Sequence, residues 1–374
     1  MEKTKNIAAV AFCAILLLGA VLFFLLPKED YSQEERRLLA TAPKLSLNSL
    51  FTGAFSKESE TYLADHFPGR KFFVGLYNYT RTYTGRNGEN GVYKAKDNHL
   101  FSAPASPERL SGNLKAIGDF SNKTDIRTNI MVVPTAGSIL SENLPKLHLN
   151  YNDEAILNTV KSSLAPSVNY VDVYSLFQNN SQKADIYFKT DHHWTSYGAY
   201  LGYSEYAKAH GWEPLPESTF VKKSYKGFYG TNYAKSGLWL TPSDTLTLWE
   251  PPDPVEVEIK NDDKARTQQH NSPFFPEVFS GPDPYNIYFD GNHSLVRIIN
   301  ENARSGKLLI IKDSYANALA PFLSQHYREV DMIDLRYFRQ EQVSEFISQN
   351  DITEILFLYS LPQLCQDTNF LWLK

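Results

Sequence analysis

The chain has 374 residues, of which 42% are hydrophobic and 21% charged, a composition typical of folded rather than disordered proteins. Its formal net charge is -5 and its isoelectric point about 6.0. No dense run of lysine and arginine occurs, so we do not expect a nucleic-acid-binding protein. Aromatic residues make up 14% of the chain. Most of these rings are expected to fill the core, although tyrosine-rich surfaces also line grooves for sugars.

The first predicted element is a membrane segment. Residues 7–26 form an uncharged, strongly apolar run, and about 20 such residues can cross the hydrocarbon core of a bilayer as a helix. Lys3 and Lys5 precede the run, as in a signal sequence, and no small-residue cleavage site follows it. We therefore expect residues 1–26 to be an uncleaved signal anchor. This arrangement predicts a single-pass protein of the cell membrane, with the rest of the chain outside the cytoplasm.

The segment after the anchor is polar and irregular, and residues 27–50 are expected to form an extracytoplasmic tether. Residues 51–374 then form the folded domain. Its first elements are a helix that passes through 55–63 and ends near 67–69, and a β-hairpin at 91–101, where two short apolar stretches flank a polar turn.

The middle of the chain alternates between apolar runs and helical patterns. Short apolar runs predict strands at 129–134, 169–173 and 186–188. A helix is expected over 195–210, because a threonine or serine can cap its start and a glycine follows its end. Residues 214–300 are rich in proline, glycine, tyrosine and threonine with alternating stretches, and are expected to form a β-rich insertion.

The last part of the chain has the clearest pattern. Apolar runs predict strands at 307–313, 330–335 and 354–359, with helices between them at 315–326 and 342–349. Strands that alternate with helices are joined by right-handed crossovers, which gives a parallel sheet with helices on both faces. The sequence therefore predicts an α/β fold.

An acid and two imidazoles follow the third predicted strand. Functional groups in open α/β sheets gather at the carboxyl ends of strands, and Asp191, His192 and His193 stand at such an end, before a predicted helix. A serine nucleophile needs a base to take its proton and an acid to orient that base. The pair of Asp191 and a neighbouring histidine can supply both. The alternative is a loop whose polar groups only cap the following helix.

A serine stands at the corresponding place after the strongest predicted strand. Ser314 follows the run at 307–313 and precedes a helix, and its own N–H and that of Tyr315 are candidate oxyanion donors. The alternative is a helix cap, a frequent use of serine. The serine and the acid–histidine loop each supply what the other lacks, which favours the catalytic interpretation.

Four stretches of the sequence resemble a known family. Residues 190–199, which read TDHHWTSYGA, resemble the signature of the bacterial DHHW family. That family is similar to the SGNH-hydrolase-like proteins that O-acetylate alginate, whose signature is Asp-x-His-Trp. Residues 65–70, 227–231 and 312–317 agree with this resemblance. It implies a three-layer SGNH-like sandwich with a mostly parallel sheet. In this sequence the Asp-x-His string precedes the serine, whereas in ordinary SGNH hydrolases the serine comes first.

The resemblance also implies roles for individual residues. Ser314 becomes the nucleophile, His193 the base and Asp191 the acid that orients it. His192 becomes a substrate-facing or structural residue, Trp194 packs under the triad, and the strand end at 334–336 brings Arg336 near the site. Tyr315 stays a candidate oxyanion residue through its N–H. No cofactor is expected, and the Asp-His-His string is interpreted as part of a triad rather than a metal site.

The leading functional hypothesis is an extracytoplasmic O-acyltransferase that passes an acetyl group from Ser314 to an exopolysaccharide or cell-wall glycan. In the resembling systems a membrane-bound O-acyltransferase moves the acyl group across the bilayer, and the same partner is expected here. Two alternatives stay open from the sequence: a carbohydrate esterase with the same triad, and an inert glycan-binding subunit of an acetylation complex.

Overall fold

The computed structural model describes residues 2–32, 35–261, 264–303 and 306–373. Within these residues the strands, in chain order, are β1 Tyr31–Ser32, β2 Arg37–Leu38, β3 Val92–Lys94, β4 Leu100–Ser102, β5 Arg127–Val133, β6 Val168–Val171, β7 Val221–Phe228, β8 Asp244–Glu250, β9 Glu256–Asn261, β10 Lys264–His270, β11 Leu295–Ile299, β12 Lys307–Lys312, β13 Glu329–Ile333 and β14 Glu354–Ser360. The α-helices are α1 Glu2–Leu25, α2 Leu47–Phe51, α3 Ala54–Asp65, α4 Arg70–Tyr83, α5 Leu110–Ser121, α6 Ala136–Ile139, α7 Asp153–Ser163, α8 Val173–Gln178, α9 Ser196–Ala209, α10 Thr231–Ser236, α11 Ala316–Leu323, α12 Val343–Gln349 and α13 Leu361–Gln366.

A central sheet organises the fold. In the described part of the chain it has eight strands in the order β10-β9-β11-β13-β12-β14-β5-β6. The five strands from β13 to β6 run parallel, whereas β11, β9 and β10 extend the sheet in antiparallel fashion. The predicted α/β fold with a mostly parallel sheet is therefore the observed one.

Both faces of the sheet are buried under helices. In β12, Leu308 and Ile310 pack in one hydrophobic cluster with residues of α9 and α11. The residues between them in sequence, Leu309 and Ile311, pack in a second cluster with residues of α5, α12 and α13. Successive strand residues point to opposite faces, so a strand covered on both sides reads as a continuous apolar run. The result is a layer of helices on each side of the sheet.

Two predicted elements differ from the observed ones. The strand predicted at 186–188 is wrong, because only Tyr187 pairs, in a single bridge to Trp194. The chain turns back at this point: the N–H of Thr195 donates to the carbonyl of Ile186 at 2.8 Å. The segment closes a tight loop instead of running along the sheet. The helix predicted over 315–326 is also shorter, since α11 ends at Leu323.

The segment predicted as a β-rich insertion, 214–300, contributes strands of two kinds. β7 and β8 form a separate two-stranded antiparallel sheet, whereas β9, β10 and β11 join the edge of the central sheet. The hairpin predicted at 91–101 is present as β3 paired with β4. The division of the chain into domains stays a prediction.

The N-terminal region begins with α1, which contains most of the predicted anchor, residues 7–26. Within the described residues, no helix combines the length and the apolar character that crossing a membrane requires, and the membrane anchor stays a prediction. The predicted tether, residues 27–50, includes the short β1–β2 hairpin and the start of α2. Arg37, the first residue of β2, donates to both carboxylate oxygens of Asp65 in α3. This contact holds the hairpin against the domain.

Candidate active site

Ser314 stands at the carboxyl end of β12, an interior parallel strand of the central sheet. β12 ends at Lys312, and α11 begins two residues after the serine. The carboxylate of Asp313 fixes the turn between them, because its Oδ1 accepts the N–H of Tyr315 at 3.0 Å and its Oδ2 accepts the N–H of Ser360 at 2.7 Å. Ser360 ends the neighbouring strand β14. The turn that carries the serine is therefore tied to two adjacent strand ends.

The loop closed by Tyr187 and Trp194 carries the acid and the base. The Oδ1 atom of Asp191 accepts the backbone N–H of His193 at 2.9 Å and lies 2.6 Å from its Nδ1. The other ring nitrogen, Nε2, lies 2.7 Å from the Oγ of Ser314. An imidazole that donates from Nδ1 to a carboxylate leaves Nε2 free to accept a hydroxyl proton. The structure thus joins Asp191, His193 and Ser314 in one hydrogen-bonded chain.

The carboxyl of Asp191 is fully enclosed. Its Oδ2 accepts the backbone N–H of Thr231 at 2.6 Å, and Gly230 packs so closely that a Cβ there would lie 2.2 Å from the Asp191 Cβ. Burial by itself raises the pKa of Asp191, but the rings of His192 and His193, with hydrogen bonds from His193, outweigh burial and hold the pKa well below its ordinary value. The acid therefore stays ionised beside the imidazole.

Two aromatic rings hold the base in place. The ring of Tyr285 stacks on His193, with centroids 3.8 Å apart and planes 3° from parallel. Trp194 is completely buried, and its indole N–H donates to the carbonyl of Tyr315 at 3.0 Å. The indole thereby links the acid–base loop to the serine turn. The stacking on Tyr285 and the hydrogen bond of Trp194 to the serine turn therefore restrict the orientation of the His193 ring.

The remaining residues predicted for the site also lie near it. The phenol of Tyr315 has its pKa raised well above the ordinary value by burial, so its hydroxyl stays protonated and donates to the carbonyl of His192. The backbone N–H of Tyr315 is not the oxyanion donor that the sequence predicts, because the Asp313 carboxylate already accepts it. The N–H of Ser314 has no hydrogen-bond acceptor among the described residues.

Ser314 borders a cavity of about 370 Å3. This volume lies in the range of small-molecule sites. Ser314 and Tyr315 contribute to its lining, and its other polar side chains include His192, Asn232, Lys235, Arg336, Gln363 and Gln366. A second cavity of about 400 Å3 lies beside α4 and shares Asn90 and Lys235 with the first. Ser314 therefore shares a cavity with several hydrogen-bond donors and acceptors.

Arg336 lines this cavity, and its guanidinium is paired with the carboxylate of Asp334. Its Nε lies 2.8 Å from the Oδ1 of Asp334 and its Nη2 lies 2.5 Å from the Oδ2. About a third of the arginine side chain, 31%, stays exposed. The paired carboxylate fixes the direction of the guanidinium, and the exposed edge is what a ligand in the cavity can reach.

The ligand atoms of Asp191, His192 and His193 lie within 4.8 Å of one another, the one such group of metal-type ligands in the described part of the chain. Both ring nitrogens of His193 already make hydrogen bonds, to Asp191 and to Ser314. A metal bound to either nitrogen would have to displace one of these partners. The geometry therefore suits proton transfer between histidine and serine better than metal binding.

Three residues that shape the site are missing from the sequence-based prediction. Thr231 holds the acid, Tyr285 holds the base and Asp313 holds the serine turn. Asp313 carries a signal that could have been used, since an aspartate often bonds the N–H two residues further on. Tyr285 lies in a short 3-10 turn, 284–287, with no pattern that points to the site.

Comparison with known proteins gives one family and several similar structures. A DHHW family protein from Eubacterium siraeum shares 28% identity with this chain at a TM-score of 0.66, over 75% of this chain and 94% of its own. Bacillus cereus PatB1 with a sulfonyl adduct shares 23% identity at a TM-score of 0.65, over 76% and 98% of the two chains.

The O-acetyltransferase domain of Pseudomonas putida AlgJ shares 14% identity at a TM-score of 0.47, over 74% of this chain and 93% of its own. No curated protein matches the sequence. The family model described as DHHW protein matches residues 94–333. That span includes most of the central sheet and the hydrogen-bonded residues Asp191, His193 and Ser314. The protein belongs to the DHHW family.

Proposed function

We propose that this protein is a serine-dependent O-acyltransferase that acetylates a hydroxyl group of an extracellular or cell-wall glycan through an acyl-Ser314 intermediate. One observation carries the proposal: the Ser314 hydroxyl lies 2.7 Å from the Nε2 of His193, whose Nδ1 lies 2.6 Å from Asp191. Both distances are within the range for direct proton transfer.

The proposed reaction has two steps with balanced proton transfers. In the first, His193 takes the proton of Ser314 as its Oγ attacks the carbonyl carbon of the acyl donor. The bond between the acyl carbon and the donor oxygen breaks, and the leaving oxygen receives that proton. In the second, a glycan hydroxyl gives its proton to His193 and its oxygen attacks the acyl carbon. The bond between that carbon and the Oγ of Ser314 breaks, and His193 returns the proton to Oγ. The ionised carboxylate of Asp191 stabilises the imidazolium that forms in both steps.

The surroundings of the serine support a polar, hydroxyl-rich acceptor. The tetrahedral intermediate carries a negative oxygen, and the N–H of Ser314 is a donor not used within the described residues. Amide and cationic side chains line the cavity, among them Asn232, Lys235 and Gln363. The adjoining cavity that shares Asn90 and Lys235 offers room for further units of a polymer.

We also propose the location and the partner that this reaction needs. The apolar run at 7–26 would anchor the chain to the cell membrane with the folded domain outside the cytoplasm. A membrane-bound O-acyltransferase in the same bilayer would present the activated acyl group. Confinement of both proteins to one membrane raises their effective concentration, so a donor need not diffuse through the surrounding solution.

The test is detection of the covalent intermediate. The full-length chain is incubated with p-nitrophenyl acetate and its intact mass is measured, together with Ser314→Ala and Ser162→Ala. Ser162 is exposed on α7, and its side-chain hydroxyl donates to the carbonyl of Thr159. We expect the mass of one acetyl group on the wild type and on Ser162→Ala, and none on Ser314→Ala. Acetylation of Ser314→Ala at the wild-type rate contradicts the proposal.

The second step is tested by the acceptor. Addition of an acetyl-accepting oligosaccharide to the acetylated protein is expected to return the mass to its starting value and to yield acetylated sugar. Release of free acetate alone, unaffected by the sugar, identifies an esterase instead. Tight oligosaccharide binding without any acyl-serine identifies a glycan-binding subunit.

A further inference from the structure

The N-terminal hairpin places one arginine against two loops of the site. The Nη1 atom of Arg36 lies 2.7 Å from the Oδ1 of Asp283 and 3.3 Å from the Oγ1 of Thr231, and its Nη2 donates to the carbonyl of Tyr229. Its side chain is 12% exposed. The Arg36 backbone has a φ of 52°, a conformation that residues other than glycine seldom adopt. A nearly buried guanidinium in an unusual backbone conformation thus joins segments distant in sequence.

The first of these segments controls the acid. Tyr229 and Thr231 flank Gly230, whose N–H donates to the Oγ1 of Thr190 at 3.0 Å. The N–H of Thr231 donates to the Oδ2 of Asp191 at 2.6 Å. Because Gly230 touches Asp191 with no space for a Cβ, this segment cannot shift without moving the carboxylate.

The second segment controls the base. The same Asp283 oxygen that pairs with Arg36 also accepts the N–H of Tyr285 at 3.2 Å. The ring of Tyr285 lies flat on the imidazole of His193 at 3.8 Å. The hydroxyl of Tyr285 has no hydrogen-bond partner in the described structure. The ring is therefore held by packing, against His193 and Tyr288, and by the backbone contact to Asp283.

We infer that Arg36 is a positioning residue that fixes the acid and the base of the triad relative to each other. This inference rests on the proposed function, and it assigns a role to a segment that precedes the family-matched region, 94–333. One guanidinium holds the Asp191 carboxylate through Thr231 and the His193 ring through Asp283 and Tyr285. A planar fork with several donors can span both loops, whereas a lysine ammonium binds as a single point charge.

The inference is tested with Arg36→Gln, Arg36→Lys and Asp283→Asn, and with Arg328→Gln as the charge-matched control. Arg328 pairs with the exposed Glu301 on the surface. We expect Arg36→Gln to lower kcat for acetyl-ester turnover by about ten- to a hundredfold, since misplacement of catalytic groups by about 1 Å costs this much. KM is expected to stay within about twofold, because uniform binding of the substrate is unchanged. Arg36→Lys recovers only part of the loss, and Arg328→Gln matches the wild type.

A double-mutant cycle shows whether Arg36 and Asp283 act as one unit. Coupled residues are not additive, so we expect Arg36→Gln combined with Asp283→Asn to be no slower than the slower single variant. Additive losses overturn the inference, and so does a wild-type kcat in Arg36→Gln.

A spectroscopic readout separates this inference from the proposed function. The proton between His193 Nδ1 and Asp191 is followed by NMR as a downfield resonance, with or without turnover. We expect it to shift upfield or broaden in Arg36→Gln and to stay unchanged in Arg328→Gln. If the wild type never forms acyl-Ser314, the proposed function is wrong, but this resonance still tests the positioning role of Arg36. An unchanged resonance in Arg36→Gln overturns the positioning role.

Discussion

Replacement of Gly230 by alanine is expected to displace the carboxylate of Asp191. A Cβ at this position would lie 2.2 Å from the Cβ of Asp191 and 2.3 Å from its Oδ2. Non-bonded carbon atoms rest about 3.5–4.0 Å apart, so the two segments must separate by more than about 1 Å. The φ of Gly230 is -90°, which alanine adopts readily. The whole effect therefore comes from the steric contact.

The magnitude follows from what the displacement breaks. The N–H groups of Gly230 and Thr231 donate to Thr190 and Asp191 from the same short segment, so the segment cannot move without weakening these bonds. An overpacked core costs about 1–3 kcal/mol of stability. A catalytic group misplaced by about 1 Å costs roughly a hundredfold in rate. We expect Gly230→Ala to lose about 1–3 kcal/mol and most of its activity while staying folded.

The assay compares acetyl-ester turnover with unfolding by denaturant, and Gly112→Ala is the control. Gly112 lies in α5, where a Cβ meets nothing within 4 Å, so alanine is expected to stabilise the helix by up to about 1 kcal/mol without changing turnover. A Gly230→Ala protein with wild-type kcat/KM and an unchanged unfolding midpoint would refute the tight packing of Asp191 against this glycine.

Two further predictions concern buried polar groups. Burial lowers the pKa of Lys312 to about 8, below its ordinary value of 10.5. At pH values between these two, the unfolded chain therefore binds more protons than the folded chain. As the pH rises from roughly 7 to 9.5, the free energy of unfolding of the wild type should increase by about 2 kcal/mol relative to that of Lys312→Met. Urea unfolding at several pH values measures this, and a constant difference contradicts it. Trp194→Phe leaves the Tyr315 carbonyl without its donor and should cost about 1–3 kcal/mol. Trp372→Phe, at a ring 53% exposed, should leave the unfolding midpoint unchanged.

The sheet and the position of Ser314 were predictable for a simple reason. Strands buried on both faces read as apolar runs, and β12, β13 and β14 each carry one. A serine directly after β12 was therefore expected at the carboxyl edge of the sheet. The acid–histidine loop follows no strand of the described structure, so strand ends alone do not explain why it meets the serine, and the resemblance to the DHHW family was the better guide. The prediction at 186–188 failed because three apolar residues fit a buried loop as well as a strand.

The supports of the triad could not be predicted in the same way. Thr231, Tyr285 and Arg36 belong to segments with no regular hydrophobic period, and each acts through contacts made only after the chain has folded. The sequence could have predicted that the Tyr315 N–H is already hydrogen-bonded. The Asp313 side chain competes for it locally, as aspartates commonly do.

The position of β14 has a consequence for how the chain is made. This strand lies between β12 and β5, yet it is the last strand in the described sequence, and its register pairs Glu354 with Arg127. The two halves of the sheet can therefore join only after β14 has been synthesised. A premature stop before Glu354 would remove a middle strand rather than an edge. Such a product would leave the facing edges of β12 and β5 unpaired, and unpaired apolar strand edges promote aggregation.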